Sequence, residues 1–374
     1  MKIILATPVY PPEIGGPATY TKELALRLRD AHEVVIVAYA STSERIPGTT
    51  LFTVSKRRPL PLRLLKYAFT LFRASRGADV LYVQNAIAAG LPAILVGMAR
   101  RIPVVLKFVG DEAWERASQE RRTKKPLEAF LARPDGGWRT YLRMRIQRFV
   151  LRRADAVTTP SAYLGEAICR TYGIFKGRLH TNYNAAEKPE TVPFFSPVVP
   201  RQIVVTARLV EWKGIDGVIR ATARLAKEFP DVRLLIAGDG PEEERLKKLA
   251  AELGLQKQVT FLGRVSRAET WHLRKTSEVY VLNSTYEGLP HTALTSFAAE
   301  IPVVATDIPG TNEAVYHEKS GLLVPAGDEV ALAGAIARLF GDPALRARLV
   351  AGAKEILAEK FSWETHLRTL DTLF

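Results

Sequence analysis

Short apolar runs alternate along the chain with longer segments whose apolar residues recur every three or four positions. KIILA near the N-terminus, then EVVIVAYA, DVLYV, IPVVLKFV and DAVTTPS, have strand length. Helix-length stretches lie between them. The first, Pro17 to Arg29, has a Pro suited to an opening turn and Leu24 and Leu28 one turn apart. A second series repeats the rhythm: QIVVTA, VRLLIAG, QVTFLG, EVYVLN, IPVVAT and GLLVPAG. Runs without polar alternation read as strands buried on both faces, and strand–helix alternation predicts parallel sheets.

A Pro-rich passage, AAEKPETVPFFSPVVPR (Ala185 to Arg201), separates the two series and reads as a linker. The pattern therefore predicts an α/β chain of two Rossmann-like parallel-sheet domains facing across a cleft. Residues 1–185 form the first, 186–201 the linker and 202–360 the second. Ligands of such sheets sit beyond the carboxyl ends of the strands, so motifs just after a strand carry most weight.

With 374 residues and 47% hydrophobic content, the chain has material for two ordinary cores. Its one cysteine, Cys169, allows no internal disulfide and points to a reducing, cytoplasmic compartment. Six scattered histidines and no Cys cluster give no zinc-like spacing, so no metal site is expected. Val80 to Ala99 carries no charge, but Gln84, Asn85 and Pro92 divide it. It reads as a strand and a buried helix, not a spanning segment.

The net charge of +14 is uneven. Residues 1–195 hold 31 Lys and Arg against 16 Asp and Glu; the remainder holds 22 against 23. Two stretches carry the excess, Lys56–Arg76 with no acid at all and Arg116–Arg153. Both mix cations with Leu, Phe and Tyr. They read equally as segments for an anionic membrane surface or as helices with solvated cations. Nucleic acid is the weaker partner, because no recognised motif accompanies the charge.

Four strand-end features offer chemistry. Gly15 and Gly16 follow the first strand, where glycines suit either a tight turn or close approach to an anion. TARLVEWKGID puts Arg208 at a strand end and Lys213 beside the next helix. Such a pair is either a solvated surface or two cations converging on one anion. AGDGPEEERL places Gly238 in a turn before an acidic first helical turn, chiefly a structural signal, and neither domain carries a GxGxxG fingerprint. NSTYEGLPHTAL sets Glu287 in a loop, with Gly288, Leu289 and Pro290 leading into a helix near His291. Glu287 reads as a solvated loop carboxylate or as a contact for a sugar hydroxyl.

Together EIGGPATYTKELALRL, TARLVEWKGID, AGDGPEEERL, VTFLGRV, NSTYEGLPHTAL, IPVVATDIPGTNEAV, SGLLVPAGD and FSWE resemble the retaining, nucleotide-sugar-dependent glycosyltransferases of family 4, with the GT-B fold. The resemblance implies a donor-binding second domain, an acceptor-binding first domain, and a final helix over 361–374 crossing back to the first. It implies that Arg208 and Lys213 stabilise a leaving diphosphate, that Glu287 holds the donor sugar, and that Gly16 approaches the diphosphate. Backbone near Arg264 and Val265 would meet the base. The donor would be a UDP- or GDP-sugar, with no permanent cofactor and no metal. The acceptor would be a glycan, a lipid-linked or a small molecule.

The chain departs from the family pattern twice. The second acid of the Glu-x7-Glu motif, which would grip ribose hydroxyls, is Thr295. Glu300 lies nearby, but five helical residues turn it about 140° away. Where the family often has a His after the strand IPVVLKFV, this chain has Gly110-Asp111. An Asp after Gly in a loop reads by itself as a turn or cap, while the resemblance favours a contact with a sugar hydroxyl or a role in orienting the acceptor. Two other readings survive: a sugar-nucleotide epimerase, which lacks acid–base groups that can be placed, and a binding or scaffold protein, which Thr295 would allow. Turnover with retained configuration, epimerised nucleotide sugar, or binding without turnover separates the three.

Overall fold

A computed structural model describes residues 1–13, 16–40, 44–57, 59–186 and 197–374. The chain divides into two units, Met1–Asn182 with Thr369–Phe374, and Tyr183–Arg368.

The strands of the first unit are β1 (Lys2–Thr7), β2 (Glu33–Tyr39), β3 (Thr49–Val54), β4 (Val80–Gln84), β5 (Val104–Lys107), β6 (Ala156–Thr159) and β7 (Leu179–Thr181). All pair in parallel, in the order β3-β2-β1-β4-β5-β6-β7. Its helices are α1 (Gly16–Leu28), α2 (Leu60–Ala74), α3 (Leu91–Arg100), α4 (Glu112–Gln119), α5 (Leu127–Ala132), α6 (Trp138–Arg153) and α7 (Ala162–Tyr172). A π turn, Ala86–Gly90, leads into α3. α2, α3, α6 and α7 lie over one core, where Tyr67, Ile94, Leu151 and Ile168 join Ile4, Val37 and Leu106.

In the second unit the strands are β8 (Val199–Thr206), β9 (Arg233–Ala237), β10 (Val259–Gly263), β11 (Ser277–Leu282), β12 (Val303–Thr306) and β13 (Leu322–Val324). They too are parallel, in the order β10-β9-β8-β11-β12-β13. The helices are α8 (Ile215–Leu225), α9 (Glu243–Glu252), α10 (Arg267–Thr276), α11 (His291–Ala298), α12 (Glu329–Gly341), α13 (Pro343–Lys360) and α14 (Trp363–Asp371), whose residues from Thr369 on belong to the first unit. Successive residues of a strand point to opposite faces. Ile203, Val205, Val279 and Val281 accordingly enter one core, while Val204, Tyr280 and Leu282 enter another. Two covered faces are why these strands read as unbroken apolar runs.

Several expectations are corrected. β8 already begins at Val199, so the end of the Pro-rich passage is strand; residues 187–196 lie outside the described residues. The last helix spans Trp363–Asp371 and not the whole of 361–374. Not every strand is buried: β10 is an edge strand with Thr260 and Leu262 exposed.

Candidate functional site

The strand order of the second unit reverses between β8 and β11, the switch point where open parallel sheets leave room for a ligand. The loops after these two strands are tied together. Thr285 N–H donates to the Trp212 carbonyl at 2.8 Å, and the Asn283 side-chain amide donates to the Gly214 carbonyl at 2.8 Å. Gly214 is left-handed at φ +59°, and a Cβ there would lie 2.1 Å from the Asn283 carbonyl oxygen. Only glycine lets the loops approach this closely.

Across that seam Lys213 Nζ meets Glu287 Oε1 at 2.6 Å. The same oxygen accepts the Ser284 hydroxyl at 2.7 Å, and Ser284 is fully buried. Glu287 is held from both sides, with a small part of its surface open. Arg208, on the loop that carries Lys213, is exposed and makes no ion pair among the described residues. A permanent cation in that setting is available to an anion.

The remaining loops continue the same edge. Leu209 N–H donates to the Asp239 carbonyl at 2.8 Å, and Arg264 Nη2 meets Asp239 Oδ2 at 2.7 Å. The loops after β10, β9, β8 and β11 are thus linked in strand order. Arg264 and Val265 follow β10 and precede α10, whose start is fixed by a capping box between Ser266 and Glu269. Gly238 has a backbone reason for its identity, since a Cβ would fall 1.8 Å from the Ala207 carbonyl oxygen. On the other side Gly310 lies over the Glu287 carbonyl, with 2.2 Å to a notional Cβ. Its place in IPGTNEAV is a site feature that reading the sequence left unassigned.

Gly288, Leu289 and Pro290 lead into α11, and His291 is its first residue. Thr295 is half-buried on α11 and its hydroxyl donates to the His291 carbonyl at 2.9 Å. Its proton is committed within the helix, leaving only acceptor capacity for a ligand. Glu300 is no substitute. It follows the far end of α11 and pairs with Lys354 at 3.0 Å, near Ser277 and Pro302 at the amino edge of the sheet.

In the first unit Gly15 lies outside the described residues, while Gly16 opens α1 with nothing within 4 Å of a notional Cβ. Asp111 requires a correction. It is fully buried and caps α4, accepting the Trp114 N–H at 2.9 Å through Oδ1. Oδ2 accepts Gln147 Nε2 at 3.2 Å and the Tyr172 hydroxyl. Burial raises its pKa, and these donors work in the opposite direction. A carboxylate so enclosed reaches a sugar only if α4 moves; in this structure its work is to hold α4, α6 and α7 together.

Reading the sequence also missed Lys107, the last residue of β5. Its amine is buried 4.1 Å from the centre of the Tyr20 ring, and burial pushes its pKa down to about 7. The Tyr20 and Tyr82 hydroxyls bond at 2.8 Å, and Tyr82 packs against the edge of Phe374. A lysine closing an apolar strand reads as an exposed strand end, and only the tertiary packing reveals otherwise.

Two Rossmann-like units with these strand orders define a GT-B fold. Residues 15–185 match a family described as "Glycosyl transferase 4-like domain", and 193–356 match "Glycosyl transferases group 1". The chain belongs to the family 4 glycosyltransferases. It is 39% identical over 160 residues to the lipopolysaccharide core biosynthesis glycosyltransferase LpsD of Rhizobium meliloti, an alignment covering 43% of this chain and 45% of LpsD. An uncharacterized glycosyltransferase of Methanocaldococcus jannaschii is 26% identical over 97% of this chain and 95% of its own length. Among solved structures, Anabaena HepE in complex with UDP-glucose has a TM-score of 0.77 at 20% identity, covering 100% of this chain and 99% of that one.

Proposed function

We propose that the protein is a retaining glycosyltransferase that moves a hexosyl group from a nucleotide-diphosphate sugar to a glycan or lipid-linked acceptor, without a metal. The observation that carries this is the Lys213–Glu287 pair across the β8–β11 switch point, with Arg208 exposed on the same loop and without an ion pair among the described residues. LpsD, by its name, serves lipopolysaccharide core synthesis, and HepE has been solved with UDP-glucose. The first supports a lipopolysaccharide-type glycan as product and the second a sugar nucleotide as donor, with UDP and GDP as the bases to test. The lone cysteine suits work in the cytoplasm, and the basic segments of the first unit suit the inner face of a membrane.

The chemistry follows from charge. As the bond between the anomeric carbon and the diphosphate breaks, its electron pair goes to the leaving phosphate and the sugar becomes oxocarbenium-like. Fixed cations at that phosphate are worth more in the transition state than in the ground state, and only that difference speeds reaction. Arg208 and Lys213 fill this role. Glu287 exchanges its hold on Lys213 for hydroxyls of the donor sugar. The acceptor oxygen attacks from the face the phosphate leaves, and its proton passes to the departing phosphate oxygen.

The test is a thermal shift with UDP, GDP, ADP and their sugars, followed by turnover of the donor that binds. One nucleotide is expected to raise the melting temperature by linkage. Arg208→Ala should lose that shift and roughly 10²–10³ in kcat, as removal of one fixed transition-state donor does elsewhere. Native protein that shows no shift with any nucleotide overturns the reading.

A further inference from the structure

The two basic segments look independent in sequence, but in the first unit a third helix joins them. α2 packs on α3, α3 packs on α6, and the inner residues of all three share one core. Their outer sides therefore form one continuous layer. We infer that this layer, α2, α3 and α6 together, is a single docking face for an anionic lipid bilayer. The inference deepens the membrane partner named above and does not depend on the donor site.

Charge is the first argument. α2 carries Arg63, Lys66 and Arg73, α3 ends on Arg100, and α6 carries six arginines; none of the three helices contains an Asp or Glu. Arg143 of α6 is answered by Glu120 of α4 at 3.3 Å. A surface to which three neighbouring helices contribute no carboxylate complements negative headgroups.

Apolar exposure is the second. α2 is apolar on two sides. Tyr67, Leu71 and Ala74 are buried, while Leu62, Leu65, Phe69 and Phe72, spaced three and four apart, face outward. Leu95 and Met98 continue the exposure on α3, and Trp138, Tyr141 and Leu142 on α6. Leu65, Phe69 and Trp138 are 67%, 62% and 70% exposed. Contiguous apolar exposure of this kind marks a binding surface, not ordinary solvent contact.

The two features are interleaved. Arg73 lies over Phe69, Arg100 over Phe72 at 3.8 Å, Arg139 beside Trp138 and Arg153 beside Phe149. Each pair puts an apolar ring and a cation at one level, the arrangement suited to the boundary between acyl chains and headgroups. A nucleic acid would use the cations but gain nothing from aliphatic Leu62, Leu65, Leu95 and Met98. No helix among the described residues is long and apolar enough to cross a membrane, so the bilayer meets this face from one side.

The experiment is co-sedimentation of the full chain with phosphatidylcholine vesicles, with and without phosphatidylglycerol, while tryptophan emission is recorded. Binding is expected only with the anionic lipid, weakening in high salt, with a blue shift that Trp138→Phe abolishes. The double variant Leu65→Ser, Phe69→Ser should partition roughly tenfold less or weaker still. Because both side chains are exposed, its melting temperature and its nucleotide shift should stay as in the native protein, which separates this result from failure of the donor site. Equal binding to neutral vesicles, or undiminished binding by the double variant, overturns the inference. So does binding without the Trp138 signal, which would remove α6 from the face. Retention by single-stranded RNA in place of vesicles also overturns it and assigns the cations to nucleic acid.

Discussion

The two units share a strand plan and use its carboxyl edge differently. In the second unit charged side chains line that edge and pair across loops: half-buried Lys213 with buried Glu287, and exposed Arg264 with Asp239. In the first unit the polar groups at and beyond the corresponding strand ends are buried. Lys107 lies under Tyr20, Gln84 donates to Thr21 at 2.6 Å, and Asp111 is enclosed by three donors. The exposed Arg264–Asp239 pair costs little to separate, and Lys213, partly open beside buried Glu287, can exchange that partner for a ligand. An enclosed group fixes structure, because leaving its neighbours unpaired is expensive. The same fold thus offers one edge built for exchange and another built for rigidity.

Asp111→Ala tests the rigid edge most severely. The substitution removes a helix cap and strands the side chains of Gln147 and Tyr172 in a buried space. Together these are expected to cost roughly 3–4 kcal/mol of unfolding free energy. Denaturant melts should show the loss, while kcat per folded molecule stays near native. A fall in kcat with unchanged stability would instead return Asp111 to the acceptor site.

Lys107 gives the next largest effect, and it depends on pH. Its folded pKa, about 7, is below the ordinary lysine value of 10.5. Between these values the unfolded chain holds a proton that the folded chain has released, so stability rises with pH across that window. Below pH 7 both states are protonated, and the cost of burying the charge is fully present and flat. Lys107→Met keeps the length and removes the charge. It should be more stable than native at pH 6, with the gap closing towards pH 10. A gap that does not change with pH would mean that Lys107 stays charged in its pocket.

What the sequence made legible follows from burial. The six strands of the second unit announce themselves because four lie inside the sheet, β13 is an edge that is still mostly buried, and β10, the exposed edge, closes on glycine. Two strands of the first unit escape. In β3, TTLFTV, only Val54 is fully buried, and β7 is three residues long with none buried. Arg208, Lys213 and Glu287 were legible as strand-end residues, but the contact between Lys213 and Glu287 spans 74 positions and has no local trace. Asp111 misled for the same reason. A loop Asp after Gly is ambiguous, and the partners that enclose it, Gln147 and Tyr172, stand 36 and 61 residues further on. Leu95 and Met98 look like core in a helix that is apolar throughout, and only the packed layer shows them facing out.

Thr295 decides how far the exchangeable edge extends. It lies one turn into α11, close to the loop that carries Glu287, and its hydroxyl proton is already given to the His291 carbonyl. A neutral acceptor of that kind contributes at most one hydrogen bond to a ribose, where a carboxylate accepts two and carries charge. Glutamate is also a better helix former than threonine, so Thr295→Glu should leave the fold intact. If the ribose lies over α11, the variant gains roughly 1.5 kcal/mol, about a tenfold lower Kd for the nucleoside diphosphate by calorimetry. Removing the ribose hydroxyls from the ligand should then cancel the gain. An unchanged Kd would place the ribose away from α11, and the working edge would end at Glu287.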